Sequence, residues 1–184
     1  MKQSHVHVLI AAGLILMAAT ARVVNAEMHW YNFAPLAALG LFAGAVLKDK
    51  RYAFLFVLLG QFLGDVYFQL FTATPGFYGP AQLFTYGGLI AATLLGFFMK
   101  NLKPGNIALF TLGGSTLFFL VSNFGYFMEG WNGYSWAGLV KTYVMALPFY
   151  RSSIVGDMIG SGLLFGMYFM AQRAFAGKIQ GQKA

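Results

Sequence analysis

The chain contains no cysteine, and this absence removes several functions at once. Without thiols there is no disulfide, no cysteine nucleophile and no indication of a redox compartment. Charged residues are also scarce, at 9% of 184 residues, compared with about a quarter in soluble domains. Because 59% of the residues are hydrophobic, too little polar surface exists to cover a globule in water. Lipid is therefore the expected solvent, and a single membrane domain over 1–184 is predicted.

The charges that are present argue against nucleic acid and against catalysis. The formal net charge is +7, but the basic residues lie at the ends of apolar segments rather than along one face. That pattern fits anionic lipid headgroups. No Ser/His/Asp set, acid–base carboxylate pair or metal-ligand spacing is visible, so no enzyme, cofactor or metal site is predicted. His5 and His7, two residues apart in the N-terminal tail, are not expected to hold a metal.

Six apolar segments are near the ~20 residues that a helix needs to cross a ~30 Å hydrocarbon core. Helices are expected because lipid offers the backbone no hydrogen-bond partner, and the segments lack the alternation of membrane strands. The first segment also resembles a secretory signal peptide, but we interpret it as a span. The predicted spans cover about 6–24, 30–47, 52–71, 81–99, 107–127 and 152–171.

The distribution of basic residues predicts the orientation of these spans. If the spans alternate in direction, nine of the twelve Lys and Arg residues fall on one side of the membrane. Cytoplasmic loops carry the excess of Lys and Arg, so the basic loops at 48–51 and 100–103 are expected inside. The sequence therefore predicts a multi-pass protein of a bacterial cytoplasmic membrane, with both termini inside.

The segment 135–147 is interpreted as a separate helix. Ser135 is a favourable N-cap residue, and Pro148 is expected to end the helix before it. If this segment crossed the bilayer, the basic C-terminal tail would lie outside, against the charge distribution. The predicted fold is thus an all-α integral membrane protein with six transmembrane helices and one short amphipathic helix on the outer face.

A set of polar residues falls in the outer half of the predicted spans, where charges are costly and usually face a partner or a cavity. One interpretation is structural: Arg22 and Arg151 pair with Asp65 and Asp157 and only hold the helices together. The other is an outward-opening pocket for a small polar solute, with aromatic walls. The candidate substrate-binding residues are Arg22, Asn32, Asp65, Asn123, Tyr143, Arg151 and Asp157.

Several motifs resemble those of one family. They are Asn-Phe-Ala-Pro at 32–35, Ser-Asn-Phe-Gly at 122–125 and Ala-Leu-Pro-Phe-x-Arg-x-x-x-x-Gly-Asp at 146–157. With them the chain resembles a family of small uncharacterised bacterial membrane proteins, which is itself likened to the substrate-binding S components of energy-coupling-factor transporters. The resemblance implies a six-helix bundle with an outward-facing pocket.

The resemblance leaves the partners of the protein open. S components often dock to their coupling subunit through Ala-x-x-x-Ala on the first helix; the first span has no such pair, whereas Ala34 and Ala38 have this spacing on the second. A solitary transporter and a subunit of another membrane complex both stay open. Two functions are therefore predicted as alternatives: S-component-like capture of a small polar solute from the outer face, or a non-catalytic accessory subunit of a larger membrane complex.

Overall fold

The computed structural model of the protein describes residues 3–28 and 34–181. Within these ranges the secondary structure is entirely helical. Four of the helices, α3 to α6, are long and apolar enough to cross a membrane, which supports the predicted multi-pass character. In chain order the helices are α1 (Gln3–Glu27), α2 (Leu36–Val46), α3 (Lys50–Phe71), α4 (Ala81–Phe98), α5 (Pro104–Met128) and α6 (Trp136–Gly181).

Helices α1, α3, α4 and α5 lie close to their predicted spans, but α2 is shorter than expected. It has 11 residues, which at ~1.5 Å per residue cover about 16 Å, roughly half of the hydrocarbon core. The predicted second span began near residue 30, and residues 29–33 lie outside the described part of the chain. The number of spans and the orientation of the bundle therefore stay predictions.

The predicted break at Pro148 is wrong. α6 contains 46 residues and continues through Pro148, so the predicted amphipathic helix and the predicted sixth span are two parts of one helix. Membrane helices tolerate proline because neighbouring groups can satisfy the backbone carbonyl that it frees. A helix of this length extends about 69 Å, more than twice the hydrocarbon thickness, so α6 extends beyond the core. Ser135 does cap α6: its hydroxyl oxygen accepts the Gly138 N–H at 3.1 Å.

The short helix α2 lies at the centre of the bundle and contacts all five of the other helices. Its residues from Ala37 to Gly44 are buried. The approach of α4 is close enough to require glycine: a Cβ on Gly44 would overlap the backbone oxygen of Thr93, and one on Gly96 would overlap the backbone oxygen of Leu41. The small residues of α2 thus serve packing within the chain, as the sequence indicated.

Gly44→Ala should lower the free energy of unfolding by about 1–3 kcal/mol, because the added methyl group forces α2 away from the α4 backbone. Gly162→Ala on α6 is the matched control, since a Cβ there meets no atom within 4 Å. It should be neutral or stabilising by up to about 1 kcal/mol, as expected for Gly→Ala in a helix. Thermal unfolding of the purified protein in detergent measures both, and equal midpoints for the two variants would contradict the packing described here.

Candidate functional site

Two fully buried carboxylates occupy separate places in the bundle. Asp65 is 0% exposed and Asp157 is 2% exposed. Within the described part of the chain, the helices that carry them, α3 and α6, do not contact each other. The two side chains also share no hydrogen-bond partner. The predicted polar set is therefore divided between two sites and does not form a single cluster.

Asp65 forms an ion pair with Arg22, one of the Arg–Asp pairings that the sequence left open, and this pair joins α3 to α1. The distance from Arg22 Nη1 to Asp65 Oδ1 is 2.5 Å. The same nitrogen donates to the backbone carbonyl of Gln61 at 2.7 Å. The guanidinium carbon lies 5.1 Å from the centroid of the Phe68 ring, a favourable position for a cation over an aromatic face. The sequence prediction of at least one Arg–Asp pair within hydrogen-bonding reach is thus confirmed.

Neutral donors complete the coordination of Asp65. Its Oδ2 accepts from Gln82 Nε2 at 2.8 Å and from the Tyr86 hydroxyl at 2.6 Å, two residues one turn apart on α4. Gln61 Nε2 donates to Oδ1 at 3.3 Å. The carboxylate therefore has four donors, as a buried charge requires. Gln61 Oε1 is different: it is buried and has no hydrogen-bond partner among the described residues. We call Arg22, Gln61, Asp65, Gln82 and Tyr86 the Asp65 cluster.

The loop between α3 and α4 closes over the Asp65 cluster. Gly76 packs directly on the backbone oxygen of Asp65, where a Cβ would overlap it. Gln69 Oε1 accepts the backbone N–H of Gly76 at 3.2 Å. Gln82 Nε2, which binds Asp65, also donates to the Gly76 carbonyl oxygen at 3.1 Å. One amide group therefore connects the ion pair to the loop that covers it.

Two further contacts hold this end of the bundle together. Glu129, at the end of α5, accepts the backbone N–H of Ala81 at the start of α4, with an oxygen–nitrogen distance of 3.1 Å. Within the α3–α4 loop, the Tyr78 hydroxyl lies 3.0 Å from the hydroxyl of Thr85. Burial raises the pKa of the Tyr78 phenol above its ordinary value. These contacts connect the end of α5 and the α3–α4 loop to the start of α4.

Asp157 binds the N-terminus of the central helix. Its Oδ1 accepts the backbone N–H of Ala38 at 3.0 Å, and its Oδ2 accepts the hydroxyl of Ser115 at 2.5 Å. The residue before α2, Pro35, makes no side-chain cap. Because the first amides of a helix have no partner within it, the carboxylate from α6 supplies the acceptor that an N-cap residue would supply. Its negative charge also matches the positive end of the helix dipole.

A group of opposite charge binds the other end of α2. Lys50 Nζ, at the start of α3, donates to the Gly44 carbonyl oxygen at 2.6 Å and lies 4.8 Å from the centroid of the Phe97 ring. Helix C-termini favour cations, because their last carbonyl groups have no partner within the helix. The central helix is thus held at both ends by charged side chains from its neighbours.

The remaining predicted site residues lie elsewhere. Arg151 is exposed and forms no ion pair with Asp65 or Asp157 in the described ranges, contrary to the interpretation that both arginines pair with the two aspartates. Asn123 and Tyr143 each donate to a backbone carbonyl of α5, at 2.8 Å and 2.7 Å. Asn32 lies outside the described residues. Asp157 is satisfied by neutral donors, which is why it needs no arginine.

The predicted site residues lack five side chains that the structure places here: Gln61, Gln82, Tyr86, Ser115 and Lys50. Tyr86 follows Gln82 by one helical turn, and that spacing was the available signal. Ser115 follows two glycines inside an apolar segment, and this context gives no signal that it is a donor to Asp157. Lys50 was counted with the loop charges, although it reaches back to the preceding helix. The roles of Ser115 and Lys50 depend on α2 ending inside the bundle, which hydropathy does not reveal.

Removing both charges of the Arg22–Asp65 pair should cost less than the sum of the losses from removing each charge alone. Arg22→Gln or Asp65→Asn alone leaves an unpaired buried charge and should cost about 3–5 kcal/mol. The double variant should lose less than the sum of the two, with a coupling energy of about 0.5–3 kcal/mol. Thermal or denaturant unfolding in detergent gives the four values of the cycle. Additive losses would show that the two side chains do not depend on each other.

The fold and its two sites define a multi-pass α-helical membrane protein with buried carboxylates inside the bundle. A family model matches residues 2–180, and the chain belongs to that family, the family of unknown function DUF6580. This agrees with the predicted resemblance to an uncharacterised family. No curated protein and no solved structure matches the chain.

Proposed function

We propose that the protein is an S-component-like membrane transport protein of a bacterial cytoplasmic membrane. In this proposal it captures a small polar solute at the end of the bundle that carries the Asp65 cluster. The observation that carries the proposal is the Gln82 side chain, whose amide binds both Asp65 and the covering loop. A solute that engages the cluster would therefore act on the loop that admits it.

The number of polar side chains in the Asp65 cluster favours solute binding over a purely structural role. Two opposite charges suffice to hold two helices together, whereas here four side chains from three helices surround one carboxylate. Intramembrane charges of this kind commonly mark substrate pathways. Because Asp65 is fully buried, the loop between α3 and α4 must move before a solute can reach it. Gly76 and Gln69 hold that loop through a few hydrogen bonds, which makes an opening motion inexpensive.

The chemistry of the cluster indicates the class of solute. Arg22 suits a carboxylate or phosphate group, because a guanidinium offers several donors in one plane. Asp65 suits an ammonium group, and the unpartnered Gln61 Oε1 offers an acceptor to a further donor. A solute carrying both an anionic group and an amine would replace the internal ion pair with two new pairs. We therefore propose a small zwitterionic or anionic solute.

A second candidate function is a non-catalytic accessory subunit of a larger membrane complex. It is favoured by the fact that both Asp65 and Asp157 are satisfied by groups of the same chain. Charges that are fully paired inside a bundle can fix helix positions and do nothing else. In that case the Asp65 cluster would hold α1, α3 and α4 in place, and no small solute would stabilise the protein.

A thermal-shift screen of anionic, cationic and zwitterionic metabolites against the purified protein separates the two functions. A captured solute raises the unfolding midpoint, since it binds only the folded state. We expect stabilisation of the wild type and of Asp157→Asn, and none of Asp65→Asn. Asp157→Asn is the matched control, because it is the same substitution at an equally buried carboxylate that binds α2.

Gln82→Met keeps both charges and tests the link to the loop if Asp65→Asn fails to fold. Affinity for the solute should fall by about tenfold to a hundredfold, as expected for a lost hydrogen bond to a charged group. A solute that stabilises all variants equally would rule out this site. If no compound in the panel stabilises the wild type, solute capture is contradicted and the accessory function is preferred.

A further inference from the structure

A groove between α5 and α6 opens towards the end of the bundle opposite the Asp65 cluster. It has a volume of about 330 Å³. A second hollow of about 520 Å³ shares Gly166 and Phe169 with it and continues to Arg173. The groove is lined mainly by apolar residues, among them Ile107, Met158, Gly162, Phe165 and Phe169.

The groove exists because α6 carries small residues where it has no neighbour. A Cβ on Gly162 or Gly166 would meet no atom within 4 Å, whereas one on Gly160 would overlap Pro35 in the packed interior. The polar side chains in the wall, Thr111 and Ser161, are hydrogen-bonded to each other at 2.8 Å. The groove therefore presents hydrocarbon surface and satisfied hydroxyl groups, which suit an acyl chain better than a polar solute.

Exposed cations stand where the groove ends. Lys103 is the N-cap residue of α5 and directly precedes Pro104, a residue of the groove wall. Arg173 lines the adjoining hollow, and both basic side chains are exposed. Asp49, the acidic residue at the start of α3, already accepts the backbone N–H of Arg51 at 3.0 Å. The positive charge at this end is thus available to a negatively charged headgroup, as in basic sites between membrane helices that bind anionic lipids.

We propose that this surface binds one anionic phospholipid. An acyl chain occupies the α5–α6 groove, and the phosphate lies beside Lys103 and Arg173. A lipid fits this surface better than a partner helix does, because its phosphate complements the charges of Lys103 and Arg173. A partner helix would need acidic residues opposite both cations. The site is separate from the Asp65 cluster, so this inference does not depend on solute capture.

Native mass spectrometry of the full chain in detergent, with added phosphatidylglycerol or phosphatidylcholine, tests the proposal. Phosphatidylglycerol should bind at one site more tightly than phosphatidylcholine. The double variant Lys103→Gln/Arg173→Gln should bind phosphatidylglycerol about thirtyfold more weakly, because each basic residue near an anionic lipid contributes about fivefold. Lys141→Gln/Arg151→Gln removes the same charge from two other exposed positions and should leave binding unchanged.

Gly162→Leu fills the groove and leaves both cations in place. It should reduce phosphatidylglycerol binding while the unfolding midpoint of lipid-free protein is maintained, which separates loss of the site from loss of the fold. Equal binding of the two lipids would overturn the proposal. Equal weakening by the two charge variants would also overturn it, since attraction would then be due to net charge alone. A change from dimer to monomer in Gly162→Leu would assign the groove to a second copy of the chain instead.

Discussion

The structure depends on how the backbone groups at the ends of the short central helix α2 are hydrogen-bonded inside the bundle. Its residues from Ala37 to Gly44 are buried among the other helices, and the exposed residues Lys48 and Asp49 follow its C-terminal end. Asp157 accepts an amide at one end, and Lys50 donates to a carbonyl at the other. An unpaired buried peptide group costs on the order of 1–3 kcal/mol, so an uncapped α2 would be costly. Because α2 contacts all five of the other helices, the two contacts that hold its ends also fix the positions of the helices packed around it.

The two buried carboxylates have different roles in this arrangement. Asp157 brings α2, α5 and α6 together and is occupied by the N-terminus of α2 and by Ser115. Asp65 brings α1, α3 and α4 together, and its donors extend through Gln82 to a loop at the bundle end. Within the described part of the chain, only the second network reaches a loop that connects two helices. That difference is why solute capture is proposed for Asp65 and support of the fold for Asp157.

The sequence predicted the parts of the structure that local physics determines. Long apolar runs specified α3, α4 and α5, and the cost of isolated intramembrane charges predicted at least one Arg–Asp pair, which is the pair of Arg22 with Asp65. It did not predict where α2 begins, because residues 30–47 form one apolar run and the capping carboxylate comes from a residue far along the chain. The predicted break at Pro148 was wrong, because α6 continues through a proline at which an isolated helix would stop. The prediction that Arg151 pairs with an aspartate was also wrong. Asp157 needs no cation, because the Ser115 hydroxyl and the N-terminus of α2 satisfy its carboxylate.

The most direct test of this account is hydrogen exchange of the α2 amides in lipid nanodiscs, comparing the wild type with Asp157→Ala. Loss of the capping carboxylate should speed exchange in 36–46 by about tenfold, since an N-cap contributes about 1–2 kcal/mol. Exchange in 81–98 should change much less. Ser115→Ala is the control, because it leaves the contact between Asp157 and the Ala38 N–H in place. Unchanged protection of α2 in Asp157→Ala, or an equal loss in all the helices, would contradict the claim that this carboxylate holds the central helix.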